Sequence, residues 1–167
     1  MTKRPGGKTR TLGLSACGIL GVLLALVTVV GAQAGKVVFP EAEGRSAVIE
    51  LCGGCHDVAA TVEKRKTQKD WKASVADMRA KGATPTDDEA KLIAAYMTRY
   101  FGIVNVNKAG AEEIQAVLGV SSQEAQAIVG HRDAHGAFAT LDDLKKVGGV
   151  DPERIEREKA SIVFSGS

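Results

Sequence analysis

The second half of the chain repeats one pattern at a period of 30 residues. The repeated pieces are Glu112-Glu113-Ile114 leading to Leu118-Gly119-Val120, and Asp142-Asp143-Leu144 leading to Gly148-Gly149-Val150. Each copy predicts a helix, a tight glycine turn and a second helix. Ser121 with Glu124 forms a capping box for one second helix, and Asp151-Pro152 is typical of the start of the other. The repeat therefore predicts a compact helical domain over residues 103–167.

The start of the chain has a different composition. Residues 1–10 are basic, Leu12 to Val30 are almost wholly apolar, and Ala32-Gln33-Ala34 forms a small-residue cleavage site. This order is typical of a secretory signal peptide. The apolar run of 19 residues also approaches the roughly 20 residues that span a bilayer, so an uncleaved anchor helix is the alternative. We predict that residues 1–34 are a signal peptide or such an anchor, and that the remainder is periplasmic or otherwise extracytoplasmic.

The overall charge follows from this leader. The chain has a formal net charge of +2, but residues 1–34 hold four bases and no acid, which leaves −2 for the rest. This balance gives no general indication of a nucleic-acid-binding protein. The content of 44% hydrophobic and 25% charged residues is that of an ordinary globular protein, which excludes a disordered chain or a protein with many membrane spans.

The only two cysteines after the leader lie in Cys52-Gly53-Gly54-Cys55-His56. Two thiols at this spacing can add across the two vinyl groups of haem, and the histidine that follows is then placed under the iron. This C-x-x-C-H sequence is the attachment pattern of c-type haem. It predicts one covalent haem c, bound through Cys52 and Cys55, with His56 as the proximal iron ligand.

Three other interpretations compete for these residues. A disulfide between the two cysteines suits an oxidising compartment but leaves His56 unexplained. A thioredoxin-like redox pair needs a βαβ context, which is not visible. A zinc site would need His131 and His135, but 75 residues separate Cys55 from His131, against a usual gap of about 12 to 15.

Two capped helices are predicted after the C-x-x-C-H sequence. Thr67-Gln68-Lys69-Asp70 resembles a capping box and Thr86-Asp87-Asp88-Glu89 forms a complete one. Gly82 and Gly102 are natural ends for the two helices. Their apolar faces are Trp71, Val75 and Met78 in one helix and Ile93, Met97 and Tyr100 in the other. With a short first helix around Val48, Leu51 and Cys52, three helices would surround the prosthetic group.

Residues 36–102 contain the C-x-x-C-H sequence, the Trp71 helix and the final helix. In these three features they resemble the small monohaem class I cytochromes c. The resemblance implies an all-α domain, and the spacing Trp71-x6-Met78-x3-Gly82 resembles its short-loop members. Haem iron in such proteins takes a sixth ligand, typically a methionine thioether. Met78 is the predicted distal ligand, and Met97 is assigned to core packing. A thioether also fills the position where oxygen or peroxide would bind, so we expect electron transfer and no enzyme activity; a small peroxidase is the alternative if Met78 is not a ligand.

The second half carries a second resemblance. The residues concerned are Val104-Asn105-Val106-Asn107-Lys108-Ala109, Ala125-Gln126-Ala127-Ile128, Arg132, Gly136-x-Phe138 and Leu141-x-x-Leu144-Lys145-Lys146-Val147-x-Gly149. They resemble the tandem helix-hairpin-helix domain of the competence DNA-uptake receptor family. A similar double motif occurs in an extrinsic photosystem subunit that binds protein. The fold class expected is therefore all-α, with this domain after the cytochrome c domain.

The residues of the hairpins disfavour DNA as their ligand. The DNA-binding version reads hydrophobic-Gly-hydrophobic-Gly, and here Ser121 and Asp151 replace the second glycine. Residues 103–167 hold 7 bases and 10 acids, whereas affinity for DNA depends mainly on neutralising phosphates. We therefore predict a docking domain for protein.

Taken together, the patterns predict an exported electron carrier that exchanges single electrons with envelope redox proteins. Contact with a membrane is expected only through an uncleaved leader. The alternative is a DNA- or protein-binding envelope protein in which haem is a redox sensor or a structural core. The bases from Lys64 to Lys72 are interpreted as a solvated helix face, or as a patch that steers an acidic redox partner.

Overall fold

A computed structural model describes residue 2 and residues 37–165, and the latter belong to one compact unit. The predictions of a signal peptide or anchor over residues 1–34 lie outside these residues, apart from Thr2. The helices are α1 Arg45–Ala47, α2 Val58–Val62, α3 Gln68–Ala80, α4 Asp87–Phe101, α5 Ala111–Leu118, α6 Ser122–His135, α7 Leu141–Lys145 and α8 Pro152–Arg157. A π-helical turn, Val48–Cys52, continues α1, and a 3-10 turn, Lys159–Ser161, follows α8. Within the described part of the chain, no helix is both long enough and apolar enough to cross a bilayer.

The two capped helices predicted in the first half are confirmed. The Thr67 hydroxyl accepts a hydrogen bond of 3.2 Å from the backbone N–H of Asp70 at the start of α3. The Thr86 hydroxyl accepts one from Glu89 N–H, and the Glu89 carboxylate accepts one in return, which completes the capping box of α4. The first helix is also present, because α1 continues through the π-helical turn to Cys52. Helix α2 was not predicted, since five residues are too few to show a helical periodicity.

The first half of the chain has its own hydrophobic cluster. Helices α3 and α4 pack together and bury Trp71, Val75, Ile93 and Met97. The other buried members are Val48, Cys52, Val58, Val62, Ala94, Tyr96 and Phe101. The C-x-x-C-H sequence lies on the turn between the end of the π-helical turn and α2, at the edge of this cluster.

The second half forms a separate cluster from the predicted pairs of helices. Helices α5 and α6 are joined at Gly119, and α7 and α8 are joined through Gly149. The fully buried side chains of this cluster are Val104, Val106, Ile114, Val117, Leu118, Ala125, Ile128, Leu144 and Ile155. The structure is thus mostly helical, with a helix-hairpin-helix domain in its second half.

A small parallel sheet departs from the all-α prediction. Strands β1 Val104–Asn105 and β2 Ile162–Val163 pair in the register Val104↔Ile162 and Asn105↔Val163. They join the two ends of the helix-hairpin-helix domain. Two-residue strands show no alternation of apolar and polar residues, so sequence periodicity does not reveal them.

The two halves meet through backbone hydrogen bonds. Lys66 N–H donates to the Phe101 carbonyl at 3.4 Å, and Ile103 N–H donates to the Lys66 carbonyl at 2.9 Å. The indole Nε1–H of Trp71 donates to the same Phe101 carbonyl at 3.0 Å. The segment before α3 is therefore fixed against the start of the helix-hairpin-helix domain.

Candidate functional site

The turn between α5 and α6 is the tip of the first hairpin. Gly119 has a φ of +64° there, a left-handed conformation that favours glycine. A Cβ atom at this position would lie 2.5 Å from Nε of Arg99, which comes from α4 in the first half of the chain. Arg99 donates to the Val117 carbonyl at 3.0 Å and pairs with Glu158 at 2.7 Å. The group that approaches this glycine closely is therefore a guanidinium of the protein itself.

The second hairpin also holds the tip of the first. The guanidinium of Arg154, on α8, donates to the Gly119 carbonyl at 2.8 Å. The sequence does not indicate either arginine, because Arg99 lies 18 residues from Val117 and Arg154 lies 35 residues from Gly119. Contacts at such separations leave no local pattern in the sequence.

One carboxylate connects the two hairpin tips. Glu124 accepts hydrogen bonds from the backbone N–H of Ser121 at 2.7 Å and of Asp151 at 3.1 Å. The first of these bonds lowers the pKa of Glu124 below its ordinary value. The Asp151 carboxylate in turn accepts from Glu153 N–H at 3.0 Å. Side chains of the protein thus occupy N–H groups at the start of α6 and α8, where a phosphate would bind in a glycine-rich hairpin.

Most cations of this domain have intramolecular partners. Lys145 pairs with Glu156, Lys146 with Asp143, Arg157 with Asp151 and Lys159 with Glu156. Arg132 donates to the carbonyls of Val106 and Ala109 at 2.8 and 2.6 Å. These pairings reduce the positive charge that the domain can offer to an anionic ligand.

In the first half, three of the four residues assigned to haem line one cavity of about 260 Å³, and Cys55 is not among them. Cys52, His56, Met78 and Met97 all contribute to its lining, together with Trp71 and other apolar side chains. Cys52 is buried, and burial raises the pKa of its thiol. Cys55 is exposed, and neither cysteine is in a disulfide. The disulfide considered for this pair is therefore not formed in this structure.

The surroundings of His56 suit a metal ligand. Its Nδ1 lies 3.3 Å from the Asp57 carbonyl oxygen and 3.3 Å from the Thr61 hydroxyl. A proton on Nδ1 can be donated to that carbonyl, which leaves Nε2 free, as in most histidines that bind metals. The thiol of Cys52, the imidazole of His56 and the thioether of Met78 share a largely apolar cavity, and the second thiol, Cys55, is exposed three residues along the chain from Cys52. This donor set is of the kind that a covalently attached haem needs.

The other two histidines lie in the second half, at the end of α6. The rings of His131 and His135 are stacked with centroids 4.4 Å apart, and His131 also stacks on Phe138. Among the described residues, no group of three or more His, Cys, Asp or Glu side chains is placed to hold a metal ion. Among these residues, the fold therefore brings no third ligand to His131 and His135 and does not support a zinc site there.

Residues 100–162 match the helix-hairpin-helix motif family. ComE operon protein 1 of Bacillus subtilis is 40% identical over 60 residues, which cover 36% of this chain and 29% of that protein. An uncharacterized protein of Haemophilus influenzae is 28% identical over 117 residues, 70% of this chain and 94% of that protein. Endonuclease/exonuclease/phosphatase family domain-containing protein 1 of Xenopus laevis is 39% identical over 62 residues, 37% of this chain and 11% of that protein. No solved structure matches the chain.

These similarities correct the function predicted from the sequence. The prediction of a cytochrome c that carries electrons between redox partners is wrong, because the family that matches is the helix-hairpin-helix motif and the relatives include ComE operon protein 1. They give no support to haem, cytochrome c or electron transport as descriptions of the chain's function, and they favour the DNA-binding alternative. For the same reason, the prediction that the hairpins bind protein in preference to DNA is corrected. The assignments of Cys52, Cys55, His56 and Met78 remain predictions.

Proposed function

We propose that this chain is an extracytoplasmic protein that binds duplex DNA, of the competence type. The observation that carries this proposal is the helix-hairpin-helix domain over residues 100–162, with its similarity to ComE operon protein 1. The two hairpins, α5 with α6 and α7 with α8, are consistent with it. The chain spans 29% of the length of that relative, so the activity of the whole protein is part of the proposal. Location in the periplasm, with or without an N-terminal anchor, belongs to the same proposal.

Titration of duplex DNA across salt concentrations tests this function. Full-length protein is added to a fluorescein-labelled 30-base-pair duplex, and anisotropy is recorded from low to physiological salt. We expect binding whose affinity falls steeply as salt rises, because cations displaced from phosphates drive association. Polyglutamate of equal charge serves as the control polyanion and should not compete. Absence of binding at low salt, or equal competition by polyglutamate, contradicts the proposal.

We also propose that one covalent haem c, held by Cys52 and Cys55 with His56 and Met78 as iron ligands, completes the core of the first half. Support comes from the cavity that Cys52, His56 and Met78 share, its largely apolar lining and the orientation that Asp57 gives to His56. When bound, this group would supply apolar contact area together with an iron centre. The role proposed here is structural, since small domains often need such a group to complete a core.

Haem attachment can be tested without any functional assay. The protein is expressed with the c-type maturation machinery, and denaturing gels are stained for covalent haem. The wild type should stain, and Cys52→Ala/Cys55→Ala should not. Met78→Ala should change the iron absorption spectrum, whereas Met97→Leu should leave it unaltered if Met97 only packs in the core. A wild-type protein that never acquires haem contradicts this proposal and leaves DNA binding untouched.

A further inference from the structure

We propose that the DNA backbone is held by the basic segment, residues 64–72, rather than by the backbone N–H groups of the hairpin tips. This inference rests on the proposed function, and it names the surface that contacts the phosphates. The segment carries five bases and one acid, and it adjoins the helix-hairpin-helix domain without being part of it.

The hairpin tips are poorly suited to phosphates. Glu124 already accepts from the N–H groups of Ser121 and Asp151, and Asp151 presents a second carboxylate beside them. A phosphate at this position would have to displace one carboxylate and approach another. Since nearby like charges repel, these groups disfavour an anion at both tips.

The basic segment instead offers unpaired charge. Lys64, Lys69 and Lys72 are exposed, and none of them makes an ion pair with any residue in the described ranges. Lys69 and Lys72 are three residues apart on α3 and therefore lie on neighbouring positions of one helix face. Three such lysines can each release counterions from a phosphate backbone.

The other two bases of the segment hold it in place. Arg65 donates to the carbonyls of Tyr100 and Gly102, both at 3.2 Å, and to the Ser161 hydroxyl at 3.1 Å. Lys66 Nζ donates to the Ser74 hydroxyl at 2.8 Å and lies over the Trp71 ring. The exposed lysines are thus presented by a segment fixed to both halves of the chain.

A groove of about 560 Å³ runs along the segment to Ile103, where the helix-hairpin-helix domain begins. Lys64, Arg65 and Lys66 line one part of it. Two acids, Asp70 and Asp77, also line it, but each has a partner. Asp77 pairs with Lys81 at 2.7 Å. Asp70 accepts from the neutral Thr67 hydroxyl at 2.8 Å and keeps its negative charge, against the three cations Lys64, Arg65 and Lys66. Of the three exposed lysines, Lys64 lines this groove, whereas Lys72 lines a separate pocket with Gln68 and Arg79 on another side of α3. The cations therefore extend from the groove around α3, and a duplex held by the segment would contact more than one face of that helix.

Two charge-matched pairs of variants test this inference in the full-length protein. The first pair compares K64Q/K69Q/K72Q with K91Q/K146Q/K159Q, whose lysines are exposed but paired with Asp88, Asp143 and Glu156. The second pair compares Gly148→Glu, beside the second hairpin tip, with Gly130→Glu on α6. Neither glycine has a neighbouring atom within 4 Å of an added Cβ. Circular dichroism confirms that each variant is folded.

Binding to the labelled duplex is measured across salt concentrations. We expect K64Q/K69Q/K72Q to reduce the slope of log affinity against log salt by about 0.9 for each phosphate that is no longer neutralised, up to about 2.7, and to weaken binding at least about tenfold at low salt. The control triple variant and both glycine variants should stay within about twofold of the wild type. Loss of binding in Gly148→Glu with normal binding in K64Q/K69Q/K72Q overturns this inference and retains the proposed function. No binding by the wild type overturns the proposed function itself.

Discussion

The Glu124 carboxylate of the first hairpin accepts a hydrogen bond of 3.1 Å from the backbone N–H of Asp151 in the second. The same carboxylate completes the capping box of α6 through Ser121. A residue that local sequence marks only as a helix cap therefore also joins the two repeats. The two hairpins are connected at their tips as well as through the hydrophobic core.

Glu124→Ala should lower the free energy of unfolding by about 1–2 kcal/mol, because it removes a capping bond and the bond to Asp151. Urea denaturation followed by circular dichroism measures the change. Gln123→Ala, at an exposed neighbouring position on the same helix, is the control and should have little effect. Equal stability of the two variants would show that the connection between the tips contributes nothing.

The effect of Glu124 should depend on pH. The backbone hydrogen bond from Ser121 is the main cause that lowers its pKa below the ordinary value of 4.5. A carboxyl group with a lowered pKa stabilises the fold above the unfolded-state pKa, and this stabilisation is lost as pH falls through the folded-state pKa. The stability difference between wild type and Glu124→Gln should therefore be full at pH 6 and shrink as the pH falls below about 4.5. Urea midpoints across this range measure it, and a difference that does not change with pH would contradict the assignment.

Gly119→Ala should destabilise the protein by more than about 1 kcal/mol, because alanine disfavours the left-handed φ of +64°. The added Cβ would also lie 2.5 Å from Nε of Arg99 and displace its guanidinium. Gly110→Ala is the matched control, since it has a negative φ and no atom within 4 Å of the new methyl group. Thermal unfolding of both variants makes the comparison. A Gly119→Ala protein as stable as Gly110→Ala would mean that Arg99 does not constrain this turn.

The helices could be predicted because their signals are local. The hydrogen bonds of Thr86 with Glu89 and of Ser121 with Glu124 each join residues three positions apart, so the capping boxes can be recognised directly in the sequence. The contacts of Arg99 and Arg154 with the first hairpin join residues that are distant in sequence, and nothing local indicates them. The parallel pairing of Val104 with Ile162 was missed for the same reason.

Function was harder to predict than fold. The C-x-x-C-H sequence predicts only how haem is attached to the chain. The electron-carrier prediction also assumed what the attached haem does. The net charge of residues 103–167 argued against DNA binding. That sum covered one domain and left out the bases of residues 64–72. Only the fold shows that the segment with Lys64, Lys69 and Lys72 is fixed beside that domain through Arg65. Electrostatic arguments from sequence depend on knowing which residues share a surface.

Trp71→Phe should lower the free energy of unfolding by about 1–3 kcal/mol, because it removes the Nε1–H that donates to the carbonyl of the buried Phe101. The Lys66 N–H would remain as a more distant donor to the same oxygen, at 3.4 Å. Tyr100→Phe is the control, since its hydroxyl makes no hydrogen bond with any residue the structure describes. Guanidinium denaturation measures both variants. If the two changes were equally mild, the indole hydrogen bond would not stabilise the junction.

Arg65→Gln should weaken the connection between the two halves, because a single guanidinium nitrogen donates to Tyr100, Gly102 and Ser161. Hydrogen bonds from charged donors contribute roughly 1.5–3 kcal/mol, and we expect a loss of stability of about that size. Lys64→Gln removes the neighbouring exposed charge and should leave stability nearly unchanged. Hydrogen exchange gives a local measurement, since the Ile103 N–H is bonded to the Lys66 carbonyl beside Arg65. Its exchange should accelerate in Arg65→Gln and stay at the wild-type rate in Lys64→Gln; unchanged exchange in both would show that Arg65 does not hold the junction.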